Sequence, residues 1–474
     1  MNVNKRQDWE WPENGHDQQG IAKIVASISS PYEQEIPPFC YPGTTLPKGV
    51  LGRAKSLLAK QINAIGSHTH IEIDDNGNLK FQDGEGGFEV VQRMEAEAIW
   101  MLASVIGGTP ATTEGYFCGG GTEANIEGLW IGRQYLRQCP DPNNRGIVAL
   151  ATPLQHFSIS QALEMLDFGE PQWLHCVHCS KDHLFTPDHR GCGLNLVGMN
   201  ERGEMDIGSL QEIVNQKIHE GFRRFLIIAT AGTTVLGSID PIEAISNFID
   251  RNTTQDVRFY LHVDASFGGF TIPFCNINAP KIGFNVPNVM SVTIDGDKMG
   301  RLPYPAGVFL CRKDLMRLVA RRVQYVRGHD HDTVSGSRSC LSPVLARYLF
   351  QAEGQNGQRK YVQQCLETRN ELVRLIKENA NLNWIKIMPY SPHVNFAPMV
   401  IDIEGGEIPK QILEHGILQP YHLRSDYFPK NTLDPLSCPL IVYKICIMPH
   451  TIPFIKRFVS DLDLADQEWK KAHQ

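Results

Sequence analysis

Residues 289–311, VMSVTIDGDKMGRLPYPAGVFLC, contain two short apolar runs separated by glycine, proline and charged residues. Runs of this length that are rich in β-branched residues and bounded by turn residues predict strands buried on both faces. Three similar runs lie earlier in the chain, GIVALAT at 146–152, FLIIAT at 225–230 and FYLHVD at 259–264. Helical segments separate these runs, which indicates a parallel sheet covered by helices.

The segments between the runs contain signals for helix starts. A helix is expected at 122–137, directly after a glycine cluster. A second helix is expected from Asp240, with Asp240 as N-cap, Pro241 as the first helical residue and Glu243 completing a capping box.

The sequence predicts an α/β protein with a mostly parallel central sheet and three parts. From about residue 346 helices dominate, and short strands follow near 385–388 and 400–403. We therefore expect an N-terminal extension at 1–84, a large domain at 85–345, and a small C-terminal α+β domain at 346–474.

Composition excludes several classes of protein. Of 474 residues, 42% are hydrophobic and 20% are charged, and the formal net charge is −7. These values exclude a disordered chain, and they give no general attraction for nucleic acid or an anionic membrane surface. No apolar stretch approaches the about 20 residues that span a bilayer, and the N-terminus lacks the apolar core of a signal peptide. We expect a cytoplasmic protein whose twelve cysteines are reduced.

Four chemically distinctive groups lie just after predicted strands or at their ends. They are the glycine cluster 119–121, which precedes a helix, then His156, Asp264 and Lys298. Each alone has an ordinary explanation: a structural turn, a satisfied histidine, a capping aspartate or a surface lysine. Because ligands collect at the carboxyl ends of strands in open α/β sheets, we expect the four to surround one site. Together they are the parts needed to hold pyridoxal phosphate.

The order of motifs resembles the group II amino acid decarboxylases that depend on pyridoxal phosphate and have the fold-type I architecture. Within that group the chain looks most like the tyrosine/aspartate decarboxylase branch. The resemblance runs from about residue 62 to residue 339, and more weakly beyond. The matching segments are EGGFEVVQRMEAEAIWMLASVIGG at 85–108, GGGTEAN at 119–125, AGTT at 231–234, HVDA at 262–265, SVTIDGDKMG at 291–300, PYPAG at 303–307 and GSRS at 336–339.

The resemblance assigns a role to each matching residue. Lys298 matches the lysine that binds the cofactor covalently, Asp264 the carboxylate on the pyridine nitrogen, and His156 the imidazole that stacks on the ring. Thr234 matches a threonine near the ring oxygen and the substrate carboxylate. The remaining cofactor-binding candidates are Gly120, Gly121 and Thr122 in the phosphate cradle, and Ser266 beside the ring.

Three features depart from the family pattern or match it loosely. Asp297 stands where a phosphate-binding histidine usually precedes the lysine, and Ser266 stands where an alanine is common. Tyr325 is the expected proton donor to the α-carbon, with His329 or His331 as alternatives, in a loop that would close over the site. An ordinary, partly buried helical tyrosine is an equal alternative for Tyr325.

The segment 175–192 carries a second chemical signal. It contains Cys176, Cys179 and Cys192 together with His178, His183 and His189, and a CxxC pair with later His and Cys can bind zinc. A second closely spaced cysteine pair is missing, so we favour a solvated loop and expect no metal.

The resemblance implies α-decarboxylation of an L-amino acid, either aromatic, such as tyrosine, or acidic, by a homodimer with shared active sites. Three alternatives stay open. A carbon–carbon lyase of the sphingosine-phosphate-lyase type shares these motifs. A decarboxylation-dependent oxidative deaminase would yield peroxide and ammonia. A catalytically dead scaffold is compatible with Asp297.

Overall fold

Strand β4, Thr113–Cys118, begins a seven-stranded sheet that organises the large part of the chain. The computed structural model describes residues 19, 39, 49, 52, 65–66, 71–73, 79–81, 89–143, 145–168, 173–176, 181–184, 194–275, 278–324, 330–401, 408–429, 433 and 439–473. The chain divides into two units, Met1–Pro37 and Pro38–Gln474, and all described residues except Gln19 lie in the second.

The strands among the described residues are named in chain order. They are β1 Ile65–Gly66, β2 Ile71–Ile73, β3 Leu79–Phe81, β4 Thr113–Cys118, β5 Ile147–Ala151, β6 Trp173–Cys176, β7 Lys181–Leu184, β8 Leu194–Leu196, β9 Arg224–Thr230, β10 Arg258–Ala265, β11 Val289–Asp295, β12 Gly307–Arg312, β13 Arg321–Arg322, β14 Asp330–His331, β15 Ser337–Arg338, β16 Lys386–Ile387, β17 Phe396–Ile401, β18 Ser425–Pro429 and β19 Pro439–Cys446.

The α-helices are named in the same way. They are α1 Glu89–Val105, α2 Gly121–Arg137, α3 Phe157–Met165, α4 Ile207–His219, α5 Ile242–Asn252, α6 Leu341–Glu378, α7 Ile408–Leu413 and α8 Ile455–Ala472. Helix α6 contains a break at Gly354, where φ is 63°. No helix among the described residues has both the length and the apolar character needed to cross a membrane.

The central sheet has the strand order β4-β12-β11-β10-β9-β5-β8. All neighbouring pairs are parallel except those of β12, which runs antiparallel to both β11 and β4. The predicted mostly parallel sheet is therefore confirmed. Strand β12 reverses because only residues 296–306 connect it to β11, and a parallel crossover needs a longer connection, usually through a helix.

Helix α2 lies close against strand β10 because two of its residues have no side chain. A Cβ at Gly128 would lie 2.5 Å from the His262 ring, and a Cβ at Gly132 would lie 2.9 Å from the Tyr260 ring. Such distances are well inside van der Waals contact, so larger residues would push the helix off the sheet. This close packing brings the first turns of α2 to the carboxyl end of β10.

The predicted N-cap at Asp240 is wrong. Pro241 occupies the N-cap position of α5, and no side chain caps the helix there. Instead, the buried Asp240 carboxylate accepts hydrogen bonds from the backbone N–H groups of Thr230 and Met205, each at 2.7 Å. The carboxylate is thus held by two backbone donors, one at the end of β9 and one just before α4, and not at the start of α5.

The C-terminal part contains an antiparallel sheet with the order β16-β17-β19-β18. Phe39, fully buried, packs its ring 5.0 Å from that of Tyr421 and 4.9 Å from that of Phe458. Its carbonyl also accepts a hydrogen bond from the backbone of Cys446 at 2.7 Å. This residue of the expected extension is therefore part of the C-terminal core, while the domain boundaries at 84 and 345 stay a prediction.

Candidate active site

A cavity of about 640 Å³ lies at the carboxyl edge of the central sheet. Its volume falls within the range of small-molecule sites. Six of the residues predicted from the sequence line it: Gly120, Gly121, Thr122, His156, Ser266 and Lys298. The other described lining residues are Gly119, Glu123, Ile126, Phe157, Asp295 and Tyr304.

The strand register explains why these groups meet. Gly307 of β12 pairs with Cys118 at the end of β4 on one side and with Asp295 at the end of β11 on the other. The glycine turn after β4 and the turn after β11 are therefore neighbours. The backbone N–H of Gly121 donates to Asp295 Oδ2 at 3.2 Å across this junction.

The glycine cluster forms a cradle for an anion at the N-terminus of α2. Gly120 is the N-cap and supplies no side-chain cap, and since the N–H of Gly121 donates to Asp295, an anion would bind at the N–H groups that follow in the first turn. A Cβ at Gly121 would lie 2.8 Å from Ser266 Oγ and 3.1 Å from Asp295 Oδ2. Only glycine fits there, and the half-buried Thr122 adds a hydroxyl.

Replacing Gly307 with alanine is expected to damage this cradle. The new Cβ would overlap the backbone of Gly120, and neither backbone can move without breaking the β4–β12 pairing. We expect the free energy of unfolding to fall by about 3 kcal/mol. Thermal unfolding measures this effect, and Gly416→Ala is the matched control, since nothing lies within 4 Å of its Cβ position. Equal stability of the two variants would contradict the close approach of Gly307 to Gly120.

Asp264 ends β10 and is 3% exposed. Its Oδ1 accepts from the backbone N–H of Ser266 at 3.0 Å and from Ser266 Oγ at 2.5 Å, and its Oδ2 accepts from Asn125 Nδ2 at 3.0 Å. Burial alone would raise the pKa of Asp264, but these hydrogen bonds and the charge of Lys298 outweigh burial and lower it. Asp264 is therefore a stable anion at neutral pH, and Ser266 supplies two of its three hydrogen bonds.

His156 is the N-cap of α3 at the side of the cavity. Its Nδ1 accepts from the backbone N–H of Ser158 at 3.3 Å and lies 2.8 Å from Ser158 Oγ. Burial lowers the pKa of His156, while the charge of Asp264 opposes this. The ring is thus neutral near pH 7, which suits an imidazole that packs on another ring.

Lys298 lies in the turn between β11 and β12, with its Nζ 3.6 Å from Asp295 Oδ2. The same Asp295 oxygen accepts from Gly121, so the lysine and the cradle share one carboxylate. The charge of Lys298 acts on both Asp264 and His156. Lys298 and His156 line the cavity, while Asp264 is not among the described lining residues and is hydrogen-bonded to Ser266, which lines it.

Asp297 is the neighbour of Asp295 in this turn. Burial, together with the hydrogen bond and the charge of Asp295, raises the pKa of Asp297 to about 7, while Lys298 lowers it. One oxygen of each carboxyl group is buried without a hydrogen-bond partner among the described residues. A protonated Asp297 removes one negative charge from beside the cradle, so this departure from the family pattern does not exclude a phosphate.

The charge state of Asp297 predicts how cofactor affinity changes with pH. Below pH 7 the protonated carboxyl tolerates a phosphate, whereas above pH 7 its negative charge repels one. We expect the Kd for pyridoxal phosphate to rise by up to about tenfold per pH unit above pH 7 in the wild type, relative to Asp297→Asn. Fluorescence titrations between pH 6 and 8.5 measure both proteins, and parallel curves would contradict the prediction.

Other predicted residues do not meet at the cavity or lie outside the described residues. Thr234 is half-buried in a turn after β9 and is not among the described residues that line the cavity. Tyr325 and His329 lie outside the described residues, as does most of the segment 175–192, and His331 lies in β14. No group of three metal-ligating side chains occurs in the described part of the chain.

The sequence analysis missed two residues of this site. Asn125 contacts Asp264 directly, and Asp295 contacts the cradle. Signals for both exist: Asn125 lies four residues after Gly121, on the same helix face, and Asp295 ends an apolar strand as Asp264 does.

The donor set fits pyridoxal phosphate. A lysine amine, a buried ionised carboxylate and a neutral imidazole are available for the ring, and a helix N-terminus without a side-chain cap is available for the phosphate. Lys298, Asp264 and His156 would hold the ring, and Gly121 and Thr122 would hold the phosphate. The cofactor would supply an electron sink for bonds at the α-carbon of an amine.

Comparison with known proteins supports the same assignment. The family model of the pyridoxal-dependent decarboxylase conserved domain matches residues 187–397. A tryptophan decarboxylase of Clostridium sporogenes is 28% identical over 413 residues, which cover 86% of this chain and 84% of the relative. A probable L-tyrosine/L-aspartate decarboxylase of Methanopyrus kandleri is 30% identical over 328 residues, which cover 67% of this chain and 75% of the relative.

A solved structure shares the fold. The L-methionine decarboxylase from Streptomyces sp. 590 superposes with a TM-score of 0.73 at 17% identity, covering 97% of each chain. This likeness confirms the predicted fold-type I architecture. With the sequence relatives and the fitted site, it follows that the chain belongs to the family of pyridoxal-phosphate-dependent amino acid decarboxylases.

Proposed function

We propose that this chain removes the α-carboxylate of an aromatic L-amino acid as carbon dioxide and leaves the amine. The observation that carries the proposal is that Lys298 and His156 line one cavity with a helix N-terminus, while the buried Asp264 carboxylate is hydrogen-bonded to the lining residue Ser266. The roles of Lys298, Asp264 and His156 are also proposals, which follow from this geometry and from the family.

Each side chain has a separate task in this reaction. Lys298 Nζ would hold the cofactor at its aldehyde. The Asp264 carboxylate accepts three hydrogen bonds that lower its pKa, so it stays ionised and would hold a protonated ring nitrogen. His156 would lie against the ring face, and Gly120, Gly121, Thr122 and Ser266 would border the phosphate and the ring. Thr234 and Tyr325 stay proposed contacts for the substrate carboxylate and the α-carbon.

The cavity mouth favours an aromatic substrate over an acidic one. Phe157 and Tyr304, 66% and 70% exposed, border the cavity with flat apolar surfaces. Glu123 and Asp295 add negative charge, and Lys298 is the only cation among the described lining residues. An acidic side chain would meet repulsion here, whereas an indole or phenol would find rings to pack against.

A panel of L-amino acids tests the proposal. Purified protein is supplied with pyridoxal phosphate, and carbon dioxide and amine are measured for tryptophan, tyrosine, phenylalanine, aspartate and glutamate. We expect release of both products from an aromatic substrate and much less from the acidic ones. If only aspartate or glutamate released carbon dioxide, the proposed aromatic substrate class would be wrong, while the proposed decarboxylation would be supported.

The same assay separates the alternatives. Aldehyde without carbon dioxide would indicate a carbon–carbon lyase. Peroxide with ammonia would indicate oxidative deamination. Cofactor binding without any product from the whole panel would indicate a dead scaffold.

A homodimer and a cytoplasmic location are further parts of this proposal. Exposed Phe157 and Tyr304 at the mouth are surfaces that a second copy would cover. Light scattering during size-exclusion chromatography tests the dimer, and a monomer that is fully active would contradict shared sites.

A further inference from the structure

Asn125 lies at the centre of a buried polar network behind the cavity. This side chain is 1% exposed. Its Nδ2 donates to Ser158 Oγ at 2.9 Å and to Asp264 Oδ2 at 3.0 Å, while its Oδ1 lies 3.0 Å from His262 Nε2. The amide therefore uses both N–H donors and its carbonyl at the same time.

The partners of Asn125 fix the direction of these hydrogen bonds. The Asp264 carboxylate only accepts, so the amide nitrogen must face it and the amide oxygen must face His262. His262 then donates from Nε2, and its Nδ1 accepts from Ser291 Oγ at 2.8 Å. Ser291 Oγ in turn accepts from the Tyr260 hydroxyl at 2.9 Å. Burial lowers the pKa of His262 to about 4, which keeps this ring neutral.

A second branch of the network reaches His156. Since Ser158 Oγ accepts from Asn125, its own proton can point to His156 Nδ1 at 2.8 Å. The backbone N–H of Ser158 donates to the same nitrogen. With Nδ1 acting as the acceptor, the neutral ring of His156 carries its proton on Nε2.

We propose that Asn125 is a positioning residue for the reaction: its amide keeps the Asp264 carboxylate ionised and aligned, and it supports through Ser158 the proton position on His156. Asn125 thus contacts Asp264 directly and His156 through Ser158. These two residues would hold the ring nitrogen and the ring face of the cofactor. The proposal rests on the proposed function, since Asp264 and His156 act on the cofactor only there.

The surroundings of Asp264 show why the Asn125 amide matters. Ser266 supplies both hydrogen bonds to Oδ1, and Asn125 supplies the hydrogen bond to Oδ2. Lys298 is the cation that acts on Asp264, while His156 and His262 are neutral. The loss of the amide donor leaves Oδ2 buried without its partner, which favours the protonated acid.

The substitution Asn125→Asp tests this role with a side chain of the same shape. A carboxylate oxygen then replaces Nδ2 and faces Asp264 Oδ2 at about the present separation, while His262 keeps an acceptor. Like charges this close raise the pKa of one carboxyl group. In the cofactor-free chain we expect the pKa of Asp264 to rise by at least about one pH unit, measured by carbon-13 NMR of its carboxyl. Asp264→Asn assigns the signal.

The holoenzyme gives a second readout. We expect kcat of Asn125→Asp to fall by up to about tenfold for each pH unit below the new pKa of Asp264, with little change in KM, and to recover as pH rises through that pKa. A purely structural defect would lower kcat at every pH. The control is Asn195→Asp, which places a carboxylate at an asparagine that is 8% exposed and donates to Ala149 O at 3.3 Å outside this network.

If Asn125→Asp does not fold, Asn125→Ala tests the same positioning role. It removes the donor to Oδ2 without adding charge, so we expect a smaller rise in the pKa of Asp264 in the same direction. An unchanged Asp264 pKa in the variant that folds would overturn the proposal, and so would a loss of kcat that is equal at all pH values. Because the NMR titration needs neither cofactor nor turnover, its result is separate from the outcome of the amino acid panel.

Discussion

We expect Lys298→Ala to fold, to bind the cofactor weakly and to lose turnover. Lys298 lines the cavity, with its Nζ 3.6 Å from Asp295 Oδ2. This amine is the group that would bind the cofactor aldehyde. Without it, no covalent bond joins the chain to the cofactor, so the visible absorption of the bound form disappears. We expect turnover to fall by about a thousandfold or more, as when other covalent catalytic groups are removed.

The matched control for this prediction is Lys281→Ala. Lys281 is half exposed and pairs with Glu243 at 2.9 Å on the surface. That variant should keep the absorption and the turnover of the wild type, because an exposed ion pair contributes little. Absorption spectra, borohydride reduction followed by mass measurement, and amine release compare the proteins. Turnover by Lys298→Ala above one tenth of the wild type would remove the lysine from its proposed role.

The strands of the central sheet were predictable because their chemistry is local. Strand β9, RFLIIAT, is apolar on both faces apart from its ends, and its sequence alone separates it from a helix. The reversed direction of β12 depends on the length of its connection, and β4, TEGYFC, mixes polar and apolar residues, so neither was predicted. Asp240 was misassigned for a related reason, since its real partners, Thr230 and Met205, are distant in sequence.

The site was predictable where a residue ends a strand or follows a glycine cluster. Lys298, His156 and the cradle glycines were found from that rule together with the family resemblance, and they line one cavity. The rule gives no partner for each group, so the hydrogen bond from Asn125 to Asp264 and the Asp295 contact at Gly121 needed three-dimensional structure. Pairings across more than one hundred residues depend on sheet register, which the sequence does not specify by itself.

Asp264→Asn should retain cofactor and lose most of the rate. An amide has the shape of the carboxylate but no negative charge, so it cannot hold a proton on the ring nitrogen. It also brings an N–H group against either Ser266 or Asn125, both of which donate at this position. We expect turnover to fall about a hundredfold to a thousandfold, the range found when one preorganised electrostatic group is removed. Cofactor affinity should change much less, because Lys298 and the cradle remain.

Asp240→Asn is the control for Asp264→Asn. It also removes a buried carboxyl group, but one that is not proposed to hold the cofactor ring. Asp240 is 2% exposed and accepts its two hydrogen bonds, each at 2.7 Å, from Met205 and Thr230, which are not among the described lining residues of the cavity. Asp264, by contrast, accepts two of its three hydrogen bonds from the lining residue Ser266. Asp240→Asn should therefore lower the unfolding temperature while the folded protein keeps its kcat. Stopped-flow absorption and amine release, each normalised to bound cofactor, give the comparison. A kcat for Asp264→Asn within threefold of that for Asp240→Asn would show that the Asp264 charge does not support the reaction, because both substitutions replace a buried carboxyl group by an amide.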